Sequence, residues 1–238
     1  MARFLLVHGS CHGAWCWRDL VPALEASGHS AAAIDLPGHG ADKTAIKDIT
    51  LASYRDAILE ASTPKTIIVG HSMAGYPIAA AAEKAPDGMA GLIFLCAYVP
   101  ADGLSMAAMR KAAPRQPLLP AIVISDDRLS YSIDPTWLET VFYQDCPAGT
   151  LEFAMKNLCP QPILPQNTAV TLSHRFASVR KSYIRCTQDQ TIPPEYQQTM
   201  TRSWPAGDVH DLPTGHSPFF ADPSGLAGLL DEISKEIT

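Results

Sequence analysis

The chain has 238 residues, with 18 Lys+Arg against 24 Asp+Glu for a formal charge of −6, and 47% of it is hydrophobic. A chain of this length buries about 70% of the surface it would expose unfolded, so it needs neither disulfides nor a metal to be stable. The acidic balance, with no Lys/Arg stripe to neutralise phosphates, excludes a nucleic-acid footprint and points to a small partner that is not a polyanion.

The first apolar run, Phe4-Leu5-Leu6-Val7 after Met1-Ala2-Arg3, is too short for the core of a secretion signal and reads as a strand over residues 3–8. A helix is expected over 16–27, a strand over 30–35, a helix over 51–61 and a strand over 65–70. A helix over 73–84 and a strand over 90–97 continue the alternation. Nearly continuous apolar strands such as Thr66-Ile67-Ile68-Val69 are what a parallel sheet covered on both faces requires.

The rhythm then fails. Residues 101–180 hold many of the 20 prolines (Pro114, Pro117, Pro120, Pro135, Pro147, Pro160, Pro162, Pro165) but only Gly103 and Gly149 as glycines. Proline interrupts helix interiors and central strands, so short elements joined by turns are expected there. Strands over 181–186 and 208–212 and helices over 194–202 and 225–237 resume the pattern. The fold class is therefore α/β, a doubly wound, mostly parallel sheet built from residues 1–100 and 181–238. Residues 101–180 form an inserted cap, or lid, over the carboxyl edge of the sheet, where such folds place ligands, with room at its end for a helix returning to the core. No window approaches the roughly 18 apolar residues of a spanning helix, so no membrane partner is expected. The six cysteines, dispersed and in part within apolar runs, read as reduced thiols of a cytoplasmic protein.

Chemistry concentrates at strand ends. Gly70-His71-Ser72-Met73-Ala74-Gly75 follows an apolar strand and opens a helix, close to the G-x-S-x-G turn that lifts a serine hydroxyl above the sheet edge. Small residues are needed on both sides of the serine because strand and helix backbones nearly touch; here Ala74 takes the second glycine's place and Gly75 follows it. Serine needs a histidine to take its proton and an acid to orient that histidine. His216, in Pro213-Thr214-Gly215-His216-Ser217, follows the last strand and is the base. His210, inside the alternating stretch 208–212, reads as structural. Asp189, just after the strand ending at Cys186, is the acid, with Asp102 as runner-up. The oxyanion requires two backbone amides, each commonly worth about 3 kcal/mol in the barrier. Met73 supplies one and Ser10, in the loop His8-Gly9-Ser10-Cys11-His12-Gly13, the other. His8, His12, Cys11 and Cys16 invite a zinc reading, but that spacing converges ligands only on a helix, and neither metal nor cofactor is expected. Gly38-His39-Gly40 lacks the third glycine of a dinucleotide loop and reads as a turn.

With these residues in place the sequence resembles the α/β-hydrolase superfamily, and within it the branch of plant methyl esterases, hydroxynitrile lyases and related bacterial esterases. The resemblance is carried by Val7-His8-Gly9-Ser10-Cys11-His12-Gly13-Ala14-Trp15, by residues 70–75, by Tyr183-Ile184-Arg185-Cys186-Thr187-Gln188-Asp189 with Ile192-Pro193, and by Gly215-His216. It implies an α/β-hydrolase fold and a serine carboxylesterase acting on small apolar or aromatic esters through an acyl-enzyme. The lyases of the branch carry threonine and lysine where this chain has Gly9 and Ser217, so the resemblance implies esterase over lyase. A receptor that keeps the fold without turnover is a third reading, opposed by the complete set of catalytic residues. Substrate-binding candidates are Gly9, His12, Trp137, Phe142, Tyr143 and Ser217. The oligomeric state is not legible, and a dimer is compatible with the sequence.

Overall fold

The computed structural model describes residues 1–101 and 103–237. Six parallel strands, β1 (Arg3–Val7), β2 (Ser30–Ile34), β3 (Thr66–His71), β4 (Gly91–Leu95), β8 (Lys181–Cys186) and β9 (Val209–Leu212), form one sheet in the order β2-β1-β3-β4-β8-β9. The order reverses after β1, so β3 lies in the interior, and all six of its residues are buried. That is why its sequence is apolar on both faces instead of alternating.

Helices α1 (Leu20–Ala26), α2 (Leu51–Ala61), α3 (Gly75–Lys84) and α8 (Pro194–Met200) connect strands, and the short α9 (Pro218–Ala221) and α10 (Pro223–Ile237) follow β9. Two apolar clusters result, one on each face. Phe4, Leu6 and Val69 pack with Leu226 and Leu230 of α10, whereas Leu5 and Ile68 pack with Ile58 of α2 and Ile78 of α3. The helix expected from residue 16 begins only at Leu20, behind a separate 3-10 turn at Ala14–Trp17. Pro22 explains this, since a residue without an N–H fits only the first turn of a helix. Pro77 likewise confines the α-helix after Ser72 to Gly75 onward, leaving Ser72–Ala74 as a 3-10 turn.

Between β4 and β8 lie α4 (Met106–Ala112), a three-stranded antiparallel sheet of β5 (Ile122–Ile124), β6 (Ser130–Ile133) and β7 (Gln161–Pro162), and the short helices α5 (Thr150–Met155), α6 (Ile163–Asn167) and α7 (His174–Ser178). A π-helical turn at Glu139–Tyr143 fastens this region to the loops of the main sheet. Thr191 donates its hydroxyl to the Val141 carbonyl at 2.5 Å, Gln144 donates to the Gln188 carbonyl at 3.0 Å, and Asp145 accepts from the Gly215 amide at 2.5 Å. Among the described residues, no helix is long and apolar enough to cross a membrane.

Candidate active site

Ser72 sits directly after β3 with φ 56, a left-handed conformation that a residue with a Cβ adopts only where its surroundings hold it. The chain can fold this sharply because its neighbours lack bulk. A Cβ on Gly75 would stand 2.0 Å from the Tyr98 carbonyl oxygen, and one on Gly70 would stand 2.6 Å from Ile78 Cδ1. The position that must be glycine after the serine is therefore Gly75. Ala74, fully buried, is accommodated.

His216 and Asp189 reach Ser72 from the ends of β9 and β8. His216 Nε2 accepts from Ser72 Oγ at 3.0 Å, and His216 Nδ1 donates to Asp189 Oδ2 at 2.8 Å. All three side chains are buried. A buried carboxylate is costly unless its lone pairs are satisfied. Asp189 meets this requirement, because Oδ2 also accepts from Gln197 Nε2 at 2.9 Å while Oδ1 accepts from the Thr191 and Ile192 amides at 2.6 and 2.9 Å. Gln197 is itself oriented by the Cys186 amide, which donates to its Oε1 at 3.1 Å. His71 Nε2 donates to the His216 carbonyl at 2.8 Å and so fixes the backbone of the base. Burial, and then the neighbouring His216 and His12, push the His71 imidazole well below its ordinary pKa, which keeps it a neutral donor.

A narrow cavity of about 10 Å³, room for about one water, lies above Ser72. Ser10, His12, Met73 and Phe142 line it with His216 and Ser72. Ser10 lies outside helices and strands, and no described residue accepts from its amide. His12 donates from Nδ1 to the Ser10 carbonyl at 2.7 Å and accepts from the Tyr143 hydroxyl at Nε2, also at 2.7 Å. Burial lowers its pKa to about 4, so His12 is a neutral brace for the Ser10 loop. Phe142 stacks on the His216 ring with centroids 5.7 Å apart.

The other expected binding residues stand elsewhere. Trp137 is 38% exposed in a 3-10 turn capped by Asp134, away from the cavity lining. Tyr143 acts on His12 and does not reach the cavity wall. Gly9 lies beneath the nucleophile, where a Cβ would stand 2.7 Å from His71 Nδ1 and 2.9 Å from Ser72 Cβ. Ser217 is fully buried, off the cavity, and its hydroxyl has no partner. Asp102 lies outside the described residues, and His210 lies on β9 opposite Ile184. His8 donates to the Gly9 carbonyl and accepts from the Leu36 amide, so both its ring nitrogens are engaged, as are those of His12. His71, Cys96 and His216 also converge, but both His216 nitrogens are held by Ser72 and Asp189. Sequence reasoning missed Tyr98, Met106, Arg110, Leu118 and Thr191 in the lining, and Gln197 behind Asp189.

The chain as a whole has counterparts among known proteins. The chain is similar to Methylesterase 7 of Arabidopsis thaliana, 32% identical over 251 residues covering 98% of this chain and 96% of that one. It is 30% identical to salicylic acid-binding protein 2 of Nicotiana tabacum, over 98% of this chain and 97% of that one. Among solved structures, polyneuridine aldehyde esterase superposes with a TM-score of 0.87 at 26% identity, covering 98% of this chain and 99% of that one. The pyrethroid hydrolase of Sphingobium faniae JZ-2 gives 0.85 at 26%, over 98% and 97%. Residues 4–229 match the alpha/beta hydrolase family model, and the chain belongs to that family.

Proposed function

We propose that the chain is a serine carboxylesterase that cleaves small carboxylic esters through an acyl-enzyme. The observation that carries this reading is the buried Ser72–His216–Asp189 chain of hydrogen bonds facing a cavity that Ser10 and Met73 also line. His216 Nε2 takes the Ser72 proton as Oγ attacks the ester carbonyl, and Asp189 holds Nδ1–H and stabilises the imidazolium that forms. The Ser10 and Met73 amides serve as the oxyanion hole, each contributing about 3 kcal/mol to the barrier reduction. His216 then protonates the leaving alcohol. Water, deprotonated by the same nitrogen, frees the acid from Ser72.

Met73, Met106, Leu118, Tyr131 and Phe142 give the cavity a largely apolar wall, which suits an apolar or aromatic skeleton. The esterase names of the relatives support the same reaction class. A cyanohydrin-lyase reading gains no support here, because Ser217 lies off the cavity and offers no cation. All six cysteines are free thiols, which fits action in a reducing compartment such as the cytoplasm. In the test, a fluorophosphonate should label Ser72, and Ser72→Ala should abolish hydrolysis of short p-nitrophenyl esters. Turnover surviving in that variant would overturn the assignment.

A further inference from the structure

Arg110 on α4 lines the cavity above Ser72, and no carboxylate among the described residues pairs with it. It is half-buried, its Nη1 is shut from solvent without an acceptor, and it forms no ion pair with any described residue. Six other arginines of the chain have acceptors, and Arg3, Arg128 and Arg202 are exposed to water. Arg18, Arg55, Arg115, Arg180 and Arg185 each face a carboxylate, and Arg175 donates to the Glu83 and Lys84 carbonyls. A guanidinium left unpaired beside an apolar cavity is unfavourable, so its place needs a reason. Its field is felt in the cavity wall, where it works against the burial that raises the Tyr98 and Tyr131 phenols. The nearest buried carboxylate, Asp189, is already saturated by four donors.

Arg110 and Tyr131 also form the wall between this cavity and a surface groove of about 380 Å³. Arg110, Lys111 and Arg128 line that groove, and no Asp or Glu does. On a chain with a formal charge of −6, this is a local inversion of sign leading to the nucleophile. Resting on the esterase reading above, we propose that the preferred substrates are esters carrying one carboxylate distal to the scissile bond, such as half-esters of dicarboxylic acids. Arg110 pairs that carboxylate, with a geometry suited to two parallel N–H···O bonds, and sets specificity. The cationic groove is the route of approach. The narrow cavity fits this role, since an arriving anion engages the very side chain that walls it off.

The experiment compares kcat/KM for the monomethyl and dimethyl esters of succinate, glutarate and adipate in a pH-stat. The wild type should favour the monoester of at least one length by about tenfold or more, as one charge-assisted contact implies. Arg110→Gln should bring that ratio to one or below, chiefly through KM, and Arg110→Lys should restore part of it. Raising salt from about 20 to about 500 mM shortens the Debye length from roughly 20 to 4 Å and should depress the monoester rate constant several-fold, the diester's little. Equal or faster diester cleavage by the wild type at every length overturns the proposal and needs no folded variant. A loss in Arg110→Gln that is equal for both ester types overturns it as well. Either result, with neutral esters still cleaved, leaves the esterase reading standing. Failure to cleave any ester would sink both.

Discussion

Acidification from pH 7 to 5.5 should destabilise this protein before any ordinary carboxylate begins to protonate. His8, His12 and His71 are all buried, and burial is the largest cause that pushes each imidazole below its ordinary value, to about 4 for His12. Their folded pKa values are lowered, so the unfolded chain binds more protons than the folded one once pH drops below about 6.5, and stability falls with pH. For an unfolded value near 6.5 and a folded value of about 4, His12 alone costs about 1.2 kcal/mol between pH 7 and 5.5, and His8 and His71, lowered for the same reason, add to that cost. Against the 5–15 kcal/mol or so by which domains are stable, the loss is measurable. Burial lowers the His39 imidazole as well, against the opposing pull of the Pro37 carbonyl and Gln161 Oε1, so it acts in the same direction. Urea unfolding at about pH 7, 6 and 5.5 should show the midpoint falling at unchanged slope. A free energy of unfolding constant to within about 1 kcal/mol across that range would refute the reasoning.

Two substitutions probe the site itself. Asp189→Asn keeps the shape of the acid but presents an NH₂ group to one of the donors now converging on the carboxylate, and it allows the wrong tautomer of His216; kcat on a p-nitrophenyl ester should fall about 10⁴-fold with little change in KM, and a loss under tenfold would remove Asp189 from its role. Gly9→Thr, the residue of the lyase branch at that position, would place a Cβ 2.7 Å from His71 Nδ1 and 2.9 Å from Ser72 Cβ, so esterase kcat/KM should drop at least about tenfold and stability by about 1–3 kcal/mol in thermal melts. Wild-type behaviour in that variant would show that the His71 ring has slack the close packing denies it.

How much was legible in the sequence depends on whether chemistry and chain order coincide. Ser72 follows its apolar strand directly and Asp189 and His216 lie in the short loops after theirs, so a one-dimensional pattern already placed them at one edge of a parallel sheet, and the hydrogen bonds at 3.0 and 2.8 Å join the residues so expected. Gln197 was invisible for the opposite reason. It lies on α8, and its contact with Asp189 depends on how that helix packs behind the loop, which periodicity does not encode.

The region between β4 and β8 was least legible because proline dominated its reading, and the prolines do mark turns there. They also hid α4, whose seven residues Met106–Ala112 contain no proline. Within that helix Met106 and Arg110 are four apart and so share a face, and both line the cavity. An apolar residue and a cation on one buried face is a local inconsistency of the kind that marks function. Of the aromatics put forward, Phe142 lines the cavity, whereas Trp137 and Tyr143 are respectively exposed and committed to His12. Size and aromaticity report how much surface a side chain can cover. Which side chains reach the substrate is decided by the few cap positions whose helical phase turns them toward Ser72, and there the unpaired charge of Arg110 says more than any aromatic residue.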